Sequence, residues 1–374
     1  MLKNNKIFKT SDLQKLDKYT IENEPVTSLD LMERAATVFT EKLLIFFPNN
    51  HIFNILAGFG NNGGDGYVVA RLLLKKGLNV KVFGLHGNSV LSPDCAVNRK
   101  RFIDMGGCYI EVKNPDNLQP DENSVLVDAI FGAGLNRPVT GFLGDIIHRI
   151  NCLSHPVVAI DMPSGLMGED NGENNGAIIK ADYTFTFQFP KLAFMFPENV
   201  VYVGHWEVLD IRLHPIILRE YPAAYYYLTE EVVASRLLIP GKFSHKGTLG
   251  NTLLIVGSYS MMGAAMLAAK GAIRSGTGLL SVHVPRKLKE MIHLSVPEAL
   301  VEVDRNEFCF SGVDNLSRFQ AVGIGPGIGT SPVTAEGIRQ LLSVWRGKIV
   351  LDADALNLLA ADSGLLELLP KGAV

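Results

Sequence analysis

Cysteine is scarce in this sequence, with four residues in 374 and no Cys-x-x-Cys pair. Such wide spacing argues against a disulfide framework and a zinc site, and indicates reduced thiols in a cytosolic protein. The polar N-terminus lacks the apolar core of a signal peptide. A long uncharged and mostly apolar stretch, residues 253–269, is interrupted by Gly257-Ser258-Tyr259-Ser260. This interruption favours a strand, a turn and a helix over a membrane span, so no membrane partner is expected.

The chain also lacks a large excess of positive or negative charge. The formal net charge is -3, and basic residues form only short clusters such as Arg99-Lys100-Arg101, without interleaved aromatic residues. This distribution argues against nucleic acid as a partner, and the cluster is interpreted as a solvated helix face. With 47% hydrophobic and 20% charged residues, the chain has the composition of a globular protein, and 374 residues are enough for two domains.

Apolar runs alternate with helical patterns along the chain. Strands are predicted at residues 52–57, 80–84, 125–129, 157–160 and 183–187. Helices are predicted at residues 11–22, 28–47, 67–76, 93–105 and 143–150, with Ser11 and Ser28 as N-caps of the first two. This alternation predicts βαβ units and a mostly parallel sheet, which is the α/β class.

The same alternation starts again after about residue 228. It predicts strands at residues 252–256, 279–284, 321–324 and 349–351, and helices at residues 263–274 and 334–344. Between the two rounds, residues 213–228 carry two prolines and a run of three tyrosines. We therefore predict domains at residues 1–212 and 229–374. Another strand is due where the chain ends, so we expect the second domain to be incomplete.

A glycine-rich loop, residues 58–66, follows the first strand and precedes a helix. Gly58, Gly60 and Gly63 fit the pattern Gly-x-Gly-x-x-Gly, which aims backbone N–H groups at a phosphate in dinucleotide-binding domains. However, the following strand ends in residues 83–88 without the carboxylate that would hold the ribose of NAD. The pattern alone is therefore weak evidence for a dehydrogenase.

The polar residues of this loop allow a second interpretation. Asn61-Asn62-Gly63 could form only a tight turn, and Asp65 could cap the helix that follows. Two further loops argue against that limited role, because Asp128 and Asp161 also stand at the carboxyl ends of predicted parallel strands. Three polar loops on the edge of the sheet where α/β proteins bind ligands predict a functional site.

These loops supply oxygen ligands of different kinds. Asn62 offers an amide oxygen, Asp128 a carboxylate and Ser164 a hydroxyl, a set that suits a hard cation. One carboxylate among neutral oxygens balances a monovalent ion such as potassium better than a divalent one. Asp161 is left as a candidate general acid or base.

The three loops resemble the signature loops of NAD(P)H-hydrate epimerases, and the likeness covers about residues 10–212, with Met162 where isoleucine is common. The resemblance implies a Rossmann-like domain that interconverts the R and S hydrates of NADH and NADPH. It implies catalysis by Asp161 and potassium binding by Asn62, Asp128 and Ser164. The residues that it implies for binding the hydrate are Asn61, Asn62, Gly63, Gly64, Asp65, Gly132, Ala133, Gly134, Leu135, Asn136, Arg137, Pro138 and Asp161.

The second round of the pattern has its own ordered motifs, at residues 245–250, 257–265, 323–329 and 351–357. Together they resemble the N-terminal part of ADP/ATP-dependent NAD(P)H-hydrate dehydratases, which have a ribokinase-like α/β fold. The resemblance implies that Ala264 and Gly327 contact the hydrate and that ADP or ATP, with Mg²⁺, is used. The family's later nucleotide loop and its Gly-Thr-Gly-Asp motif are not found, so we expect epimerisation without dehydration.

Three other functions fit parts of the sequence. A nicotinamide-dependent oxidoreductase is disfavoured by the missing ribose carboxylate, and a sugar kinase explains only the second half. A binding or scaffold module on a reused fold predicts loss of the loop aspartates, yet Asp65, Asp128 and Asp161 are all present. The expected partners are therefore the hydrates NADHX and NADPHX, with the protein as a homo-oligomer.

Overall fold

The structure is a computed structural model that describes residues 6–47, 52–85, 87, 89–237 and 239–374. It divides into two compact units, the first ending at residue 237 and the second beginning at residue 238. Residues 1–5, which carry the polar N-terminus, and positions 86 and 88 lie outside the described residues. The predicted boundary region, 213–228, belongs to the first unit, where Tyr226 pairs with Lys6.

The first unit is built on a parallel sheet of seven strands and a small antiparallel pair. Its strands are β1 Lys6–Ile7, β2 Ile52–Ala57, β3 Val80–Gly84, β4 Cys108–Glu111, β5 Ser124–Ala129, β6 Val157–Ile160, β7 Tyr183–Phe187, β8 His205–Leu209 and β9 Tyr225–Tyr226. The large sheet has the order β4-β3-β2-β5-β6-β7-β8, and β1 pairs with β9. All neighbours in the large sheet are parallel, which confirms the predicted α/β class.

Helices cover both faces of this sheet, as parallel strands require. They are α1 Thr10–Asn23, α2 Ser28–Phe46, α3 Asn61–Lys75, α4 Pro93–Asp104, α5 Gly141–Asn151, α6 Val200–Val203, α7 Pro215–Glu220 and α8 Glu230–Arg236. One buried cluster lies around β2 and β5 and includes Phe39 of α2, Tyr67 of α3 and Phe185 of β7. A second cluster packs α5 against β5 and β6.

The predicted N-caps of the first two helices are wrong. Helix α1 begins at Thr10 after Lys9, whose side chain makes no capping bond. Helix α2 is capped by Thr27, which accepts from the backbone N–H of Asp30 while the Asp30 carboxylate accepts from the N–H of Thr27. This reciprocal pair satisfies two backbone N–H groups at the start of the helix, so Thr27 is the N-cap rather than Ser28.

Several elements of the first unit were not predicted from the sequence. Strands β4 and β8 form the two edges of the large sheet, and their residues are mostly exposed or half-buried. Edge strands bury less of their surface, so they lack the continuous apolar runs by which the central strands were recognised. The predicted bounds of β2, β3, β6 and β7 are confirmed to the residue.

The second unit repeats the architecture with a five-stranded parallel sheet of order β12-β11-β10-β13-β14. Its strands are β10 Asn251–Ile255, β11 Leu279–Val284, β12 Leu300–Val303, β13 Ala321–Ile324 and β14 Lys348–Leu351. Its helices are α9 Met262–Arg274, α10 Lys289–Ser295, α11 Pro332–Val344 and α12 Asp354–Ala361. Val374 makes ladder contacts with β14, donating to the carbonyl of Ile349 and accepting from the N–H of Leu351.

Both sheets reverse their strand order at one point. In the first unit the chain extends from β2 to β3 and β4 on one side, and from β5 to β8 on the other. In the second unit the same reversal lies between β10 and β13. The carboxyl ends of strands at such a switch point border a crevice in which α/β proteins bind ligands. Within the described ranges, none of the helices has the length and apolar character needed to cross a bilayer.

Candidate active site

A cavity of about 590 Å³ opens at the switch point of the first sheet. Its walls come from the loops after β2, β5, β6 and β7, and from one face of α1. Its volume falls in the range of small-molecule sites. The predicted site residues that line it are Asn61, Asn62, Asp65, Gly132, Ala133, Gly134, Leu135, Asn136, Arg137 and Asp161.

Helix α3 begins inside the glycine loop after β2, so the interpretation of Asp65 as the N-cap of the following helix is wrong. Helix α3 begins at Asn61 after Gly60, so Asp65 lies more than one turn inside it. Gly58 and Gly63 allow close packing: a Cβ at Gly58 would lie 2.1 Å from the carbonyl oxygen of Ile130, and one at Gly63 would lie 2.2 Å from that of Gly58. These glycines bring β2, α3 and the loop after β5 together, and the asparagines and Asp65 supply the polar groups.

Asp161 sits at the floor of the cavity, directly after β6. Its backbone has a φ of 63°, in the left-handed region that a side chain rarely adopts. Its Oδ1 accepts hydrogen bonds from the Thr186 hydroxyl (3.0 Å), the Phe187 N–H (3.0 Å) and the Lys191 ammonium (2.7 Å). Its Oδ2 makes no bond to another described residue. One oxygen is thus anchored, and the other is available to a ligand.

Lys191 is the residue that sequence reasoning missed most plainly. Its side chain is 1% exposed and its ammonium also donates to the Thr186 hydroxyl (2.9 Å) and the Phe189 carbonyl (3.2 Å). A buried lysine needs such compensation, and here the carboxylate of Asp161 provides the opposite charge. The signal was a single lysine that follows the apolar strand β7 within a few residues.

Two further carboxyl groups of perturbed pKa, those of Asp17 and Asp65, face the cavity, and neither makes a hydrogen bond or an ion pair to any described residue. Burial, and then the negative charge of Asp161, raises the pKa of Asp17 to about 6, although Lys191 acts in the opposite direction. Burial raises the pKa of Asp65 well above its usual value, and the charges of Asp161, Asp17 and Asp94 add to the effect. Carboxyl groups of perturbed pKa in a cleft are typical of catalytic sites.

The predicted ion ligands come together at the cavity wall, where Asn62 lines the cavity and Asp128 and Ser164 lie behind it, joined by the backbone of Phe131. The Asn62 amide donates to the carbonyl of Phe131 (2.8 Å), and the N–H of Phe131 donates to the Ser164 hydroxyl (2.8 Å). Asp128 accepts from the hydroxyl of Ser164 (2.5 Å) and from its N–H (2.7 Å). The sequence therefore identified three residues that share one polar cluster.

The chemistry of this cluster fits a monovalent cation. Asp128 is fully buried, and no lysine or arginine pairs with it in the described part of the chain. Burial raises its pKa to about 6, against the effect of the bonds from Ser164 and Ile130. A single uncompensated carboxylate beside neutral oxygens of Ser164, Asn62 and Phe131 matches the preference of a hard ion of low charge. No group of three His, Cys, Asp or Glu side chains suited to a metal occurs among the described residues.

Three of the predicted hydrate-binding residues lie beside the cavity without lining it: Gly63, Gly64 and Pro138. Gly64 packs on Met32, where a Cβ would lie 2.8 Å from the sulfur. Pro138 packs on Gly176, where a Cβ would lie 2.9 Å from the Pro138 Cα. Their binding role stays a prediction, and their visible role is to let the loops pack closely.

In the second unit, the two residues predicted to contact the hydrate lie next to each other at the switch point. Gly327 has a φ of 70° in the loop after β13, and a Cβ there would lie 2.9 Å from the Cβ of Ala264 in α9. Gly325, in the same loop, approaches the carbonyl oxygen of Asp352 so closely that a Cβ would lie 1.8 Å from it. Close backbone approach at these two glycines shapes this region, and the Asp354 carboxylate accepts from the N–H of Gly329 in the same loop (2.9 Å).

Both units match known families. Residues 28–193 match the family described as YjeF-related protein N-terminus, and residues 252–371 match the family described as NAD(P)H-hydrate dehydratase. The second match continues to residue 371, so it gives no support to the expectation of an incomplete second domain.

Relatives similar to this chain extend across both units. The bifunctional NAD(P)H-hydrate repair enzyme of Moorella thermoacetica is 32% identical over 372 residues, which are 95% of this chain and 70% of that protein. The enzyme of the same name from Synechocystis is 33% identical over 380 residues, 98% of this chain and 69% of that protein. A solved ADP/ATP-dependent NAD(P)H-hydrate dehydratase from Bacillus subtilis, crystallised with ATP and Mg²⁺, shares 32% identity over 34% of this chain and 46% of its own, with a TM-score of 0.31.

Fold and cavity together define a two-unit α/β protein with a small-molecule site at a sheet switch point. The relatives place it further: the chain belongs to the family of bifunctional NAD(P)H-hydrate repair enzymes.

Proposed function

We propose that the first unit epimerises the R and S hydrates of NADH and NADPH, and that Asp161 is its catalytic residue. The observation that carries this proposal is the position of Asp161, with one carboxylate oxygen fixed by three donors and the other open to a cavity of about 590 Å³. A carboxylate fixed in this way is preorganised to move a proton at a bound hydroxyl.

The reaction inverts the carbon that bears the added hydroxyl, C6 of the reduced nicotinamide ring. The C6–O bond must break and form again on the opposite face, which requires proton transfer but no redox partner. The N-terminus of α3 and the side chain of Arg137 border the same cavity and offer positive charge to the phosphates of the cofactor. These features fit a charged dinucleotide whose ring lies near Asp161.

We also propose a potassium ion held by Asn62, Asp128 and Ser164. Such an ion supplies a fixed positive charge that offsets the buried Asp128 carboxylate and stabilises negative groups nearby. The role of this chain's own residues is to orient the loop after β5, because Phe131 is bonded to both Asn62 and Ser164. The donor set and the complete burial of Asp128 support this proposal.

We assign the second step of repair, dehydration of the S hydrate with ADP or ATP and Mg²⁺, to the second unit, in place of the expectation from the sequence that this chain epimerises without dehydration. The support is the match of residues 252–371 to the dehydratase family and the glycine loop that places Gly327 against Ala264 at the switch point. A cytosolic location and a homo-oligomeric state stay predictions.

Epimerisation is tested with the whole chain, one purified hydrate and no nucleotide. Samples are taken with time, and the two epimers are separated by chromatography. We expect equilibration much faster than in buffer alone. A rate equal to that of buffer would refute the proposed activity of the first unit.

The ion and the second unit are tested separately. Replacement of potassium by sodium, or of Asp128 by alanine, should slow epimerisation, and equal rates in all cases would refute the ion site. Addition of ADP or ATP with Mg²⁺ to the S hydrate should raise the absorbance of reduced nicotinamide. An unchanged absorbance would confine this chain to epimerisation.

A further inference from the structure

Helix α1 forms one wall of the hydrate cavity. Its lining residues are Thr10, Leu13, Gln14, Asp17 and Ile21. Their spacing of three and four residues puts them on one stripe of the helix. Asp17 lies on this stripe between the apolar Leu13 and Ile21, where a helix that only packed on the protein would carry another apolar residue. Its carboxyl group therefore faces the cavity from the helix, while Asp161 faces it from the sheet.

The two carboxyl groups have different surroundings. Asp161 has its charge compensated by the ammonium of Lys191, 2.7 Å away. Asp17 has no such partner in the described part of the chain, and its pKa is raised to about 6 by burial and by Asp161. The other charged groups that line the cavity are Asp65, Asp94 and Arg137. Two carboxyl groups whose surroundings differ in this way divide acid and base roles between them.

Catalysis of inversion on both faces of the ring calls for two such groups. The hydroxyl leaves from one face of the ring as its oxygen gains a proton, and water enters from the other face as it loses one. A single carboxylate on one face serves only one of these steps. In the reverse direction the roles of the two groups exchange, so the pair must share one proton.

We propose that Asp17 is the second proton-transfer group of the first unit, acting with Asp161 across the nicotinamide ring of the hydrate. This inference rests on the proposed epimerase function. Asp17 gives its proton to the C6 hydroxyl, the C6–O bond breaks, water departs and the electron pair of the ring nitrogen forms a C=N bond. Water then adds to C6 from the other face, the C=N pair returns to nitrogen and Asp161 takes the released proton. For the other epimer, Asp161 donates and Asp17 accepts.

The test compares Asp17→Asn with the native chain in both directions. Asparagine keeps the shape and a hydrogen-bond donor but cannot transfer a proton. We expect kcat to fall about 10²-fold in both directions, while KM changes less than about threefold. Glu22→Gln is the matched control, because Glu22 lies on the same helix in an exposed pair with Lys18, and its rates should equal those of the native chain.

The pH profile separates a proton-transfer role from a structural one. After subtraction of the buffer rate, the native chain should show a maximum with a fall on each side, because the pair works with one proton. Asp17→Asn should lose one side of this profile, and Asp17→Glu should keep both sides and recover at least about tenfold of the lost kcat. The thermal transition of each variant shows whether it is folded. If one of the two variants is poorly folded, the other is compared with the native chain.

A native chain that epimerises while Asp17→Asn keeps its kcat within about twofold would overturn this inference and leave the proposed function standing. An Asp17→Asn chain with low kcat but an unchanged two-sided profile would overturn it as well. A native chain no faster than buffer would instead remove the proposed function itself.

Discussion

Each unit has its own parallel sheet with a switch point, yet the two candidate sites consist of different kinds of groups. In the first unit, ionisable side chains withdrawn from water face the cavity, among them Asp17, Asp161 and Lys191. In the second unit, Gly327 and Ala264 meet where backbone conformation and close approach decide the shape. The glycines that follow strands therefore have separate tasks in the two units. In the first they bring polar side chains together, and in the second they form the surface itself.

The largest expected effect tests the buried charge of the first unit. Lys191→Met should destabilise the first unit by about 3–5 kcal/mol, because it leaves Asp161 without its cationic partner. The double variant with Asp161→Asn should recover part of this loss, since both charges are then absent. Chemical denaturation measures the free energies of unfolding. A loss below about 1 kcal/mol for the single variant would show that the pair contributes little.

The second-largest expected effect is a loss of stability in the glycine loop of the first unit. Gly58→Ala should cost about 3 kcal/mol, because its Cβ would lie 2.1 Å from a backbone carbonyl oxygen that cannot move freely. Gly60→Ala is the matched control, since nothing lies within 4 Å of a Cβ at that position. Equal stabilities of the two variants would contradict a packing role for Gly58.

In the second unit the expected losses of stability come from backbone strain at glycines. Gly327 and Gly329 both have positive φ, 70° and 76°, so alanine at either position should cost about 1 kcal/mol in strain. Only Gly327→Ala also meets the Cβ of Ala264, at 2.9 Å, and it should be less stable by about 1 kcal/mol more. In an Ala264→Gly background, Gly327→Ala should cost less than in the native chain, although the carbonyl oxygen of Met261 would still lie 2.9 Å from the added Cβ. An equal cost in both backgrounds would exclude the Ala264 contact as a cause.

The smallest effect runs in the opposite direction. The pKa of Asp17 is raised from 3.8 to about 6 in the folded protein, so the folded state binds more protons between these values and stability falls as the pH rises through them. Asp17→Asn should therefore raise Tm by a few degrees at pH 7 and leave it nearly unchanged at pH 4. Calorimetry at the two pH values measures this. A lower Tm at pH 7 would show that the Asp17 charge stabilises the fold.

Sequence patterns located the central strands of the first sheet because these strands are buried on both faces and apolar throughout. They also placed the aspartates at strand ends, where parallel topology brings them to one edge. They could not show that Lys191 pairs with Asp161, because that contact spans 30 residues of the chain, or that Asp17 faces the same cavity from a separate helix. Asp17 was still visible as a charge on the apolar stripe of a helix.

The residues at which helices begin were the hardest features to predict from the sequence. Asp65 was interpreted as a cap because glycines and asparagines before it favour turns. The helix begins at Asn61 because Gly58 and Gly63 pack so closely that the chain turns directly from β2 into α3. Tertiary contacts thus overrode local preference, and they carried Asp65 from the helix end into the cavity.

The central claim is that carboxyl groups of the first cavity carry out epimerisation. Its most direct test is the initial rate of conversion of one pure hydrate by Asp161→Asn in the whole chain. The matched control is Asp145→Asn, an exposed aspartate on α5. We predict a loss of about 10²–10⁴-fold for Asp161→Asn and none for the control. An Asp161→Asn chain that converts the hydrate as fast as the control would contradict the account.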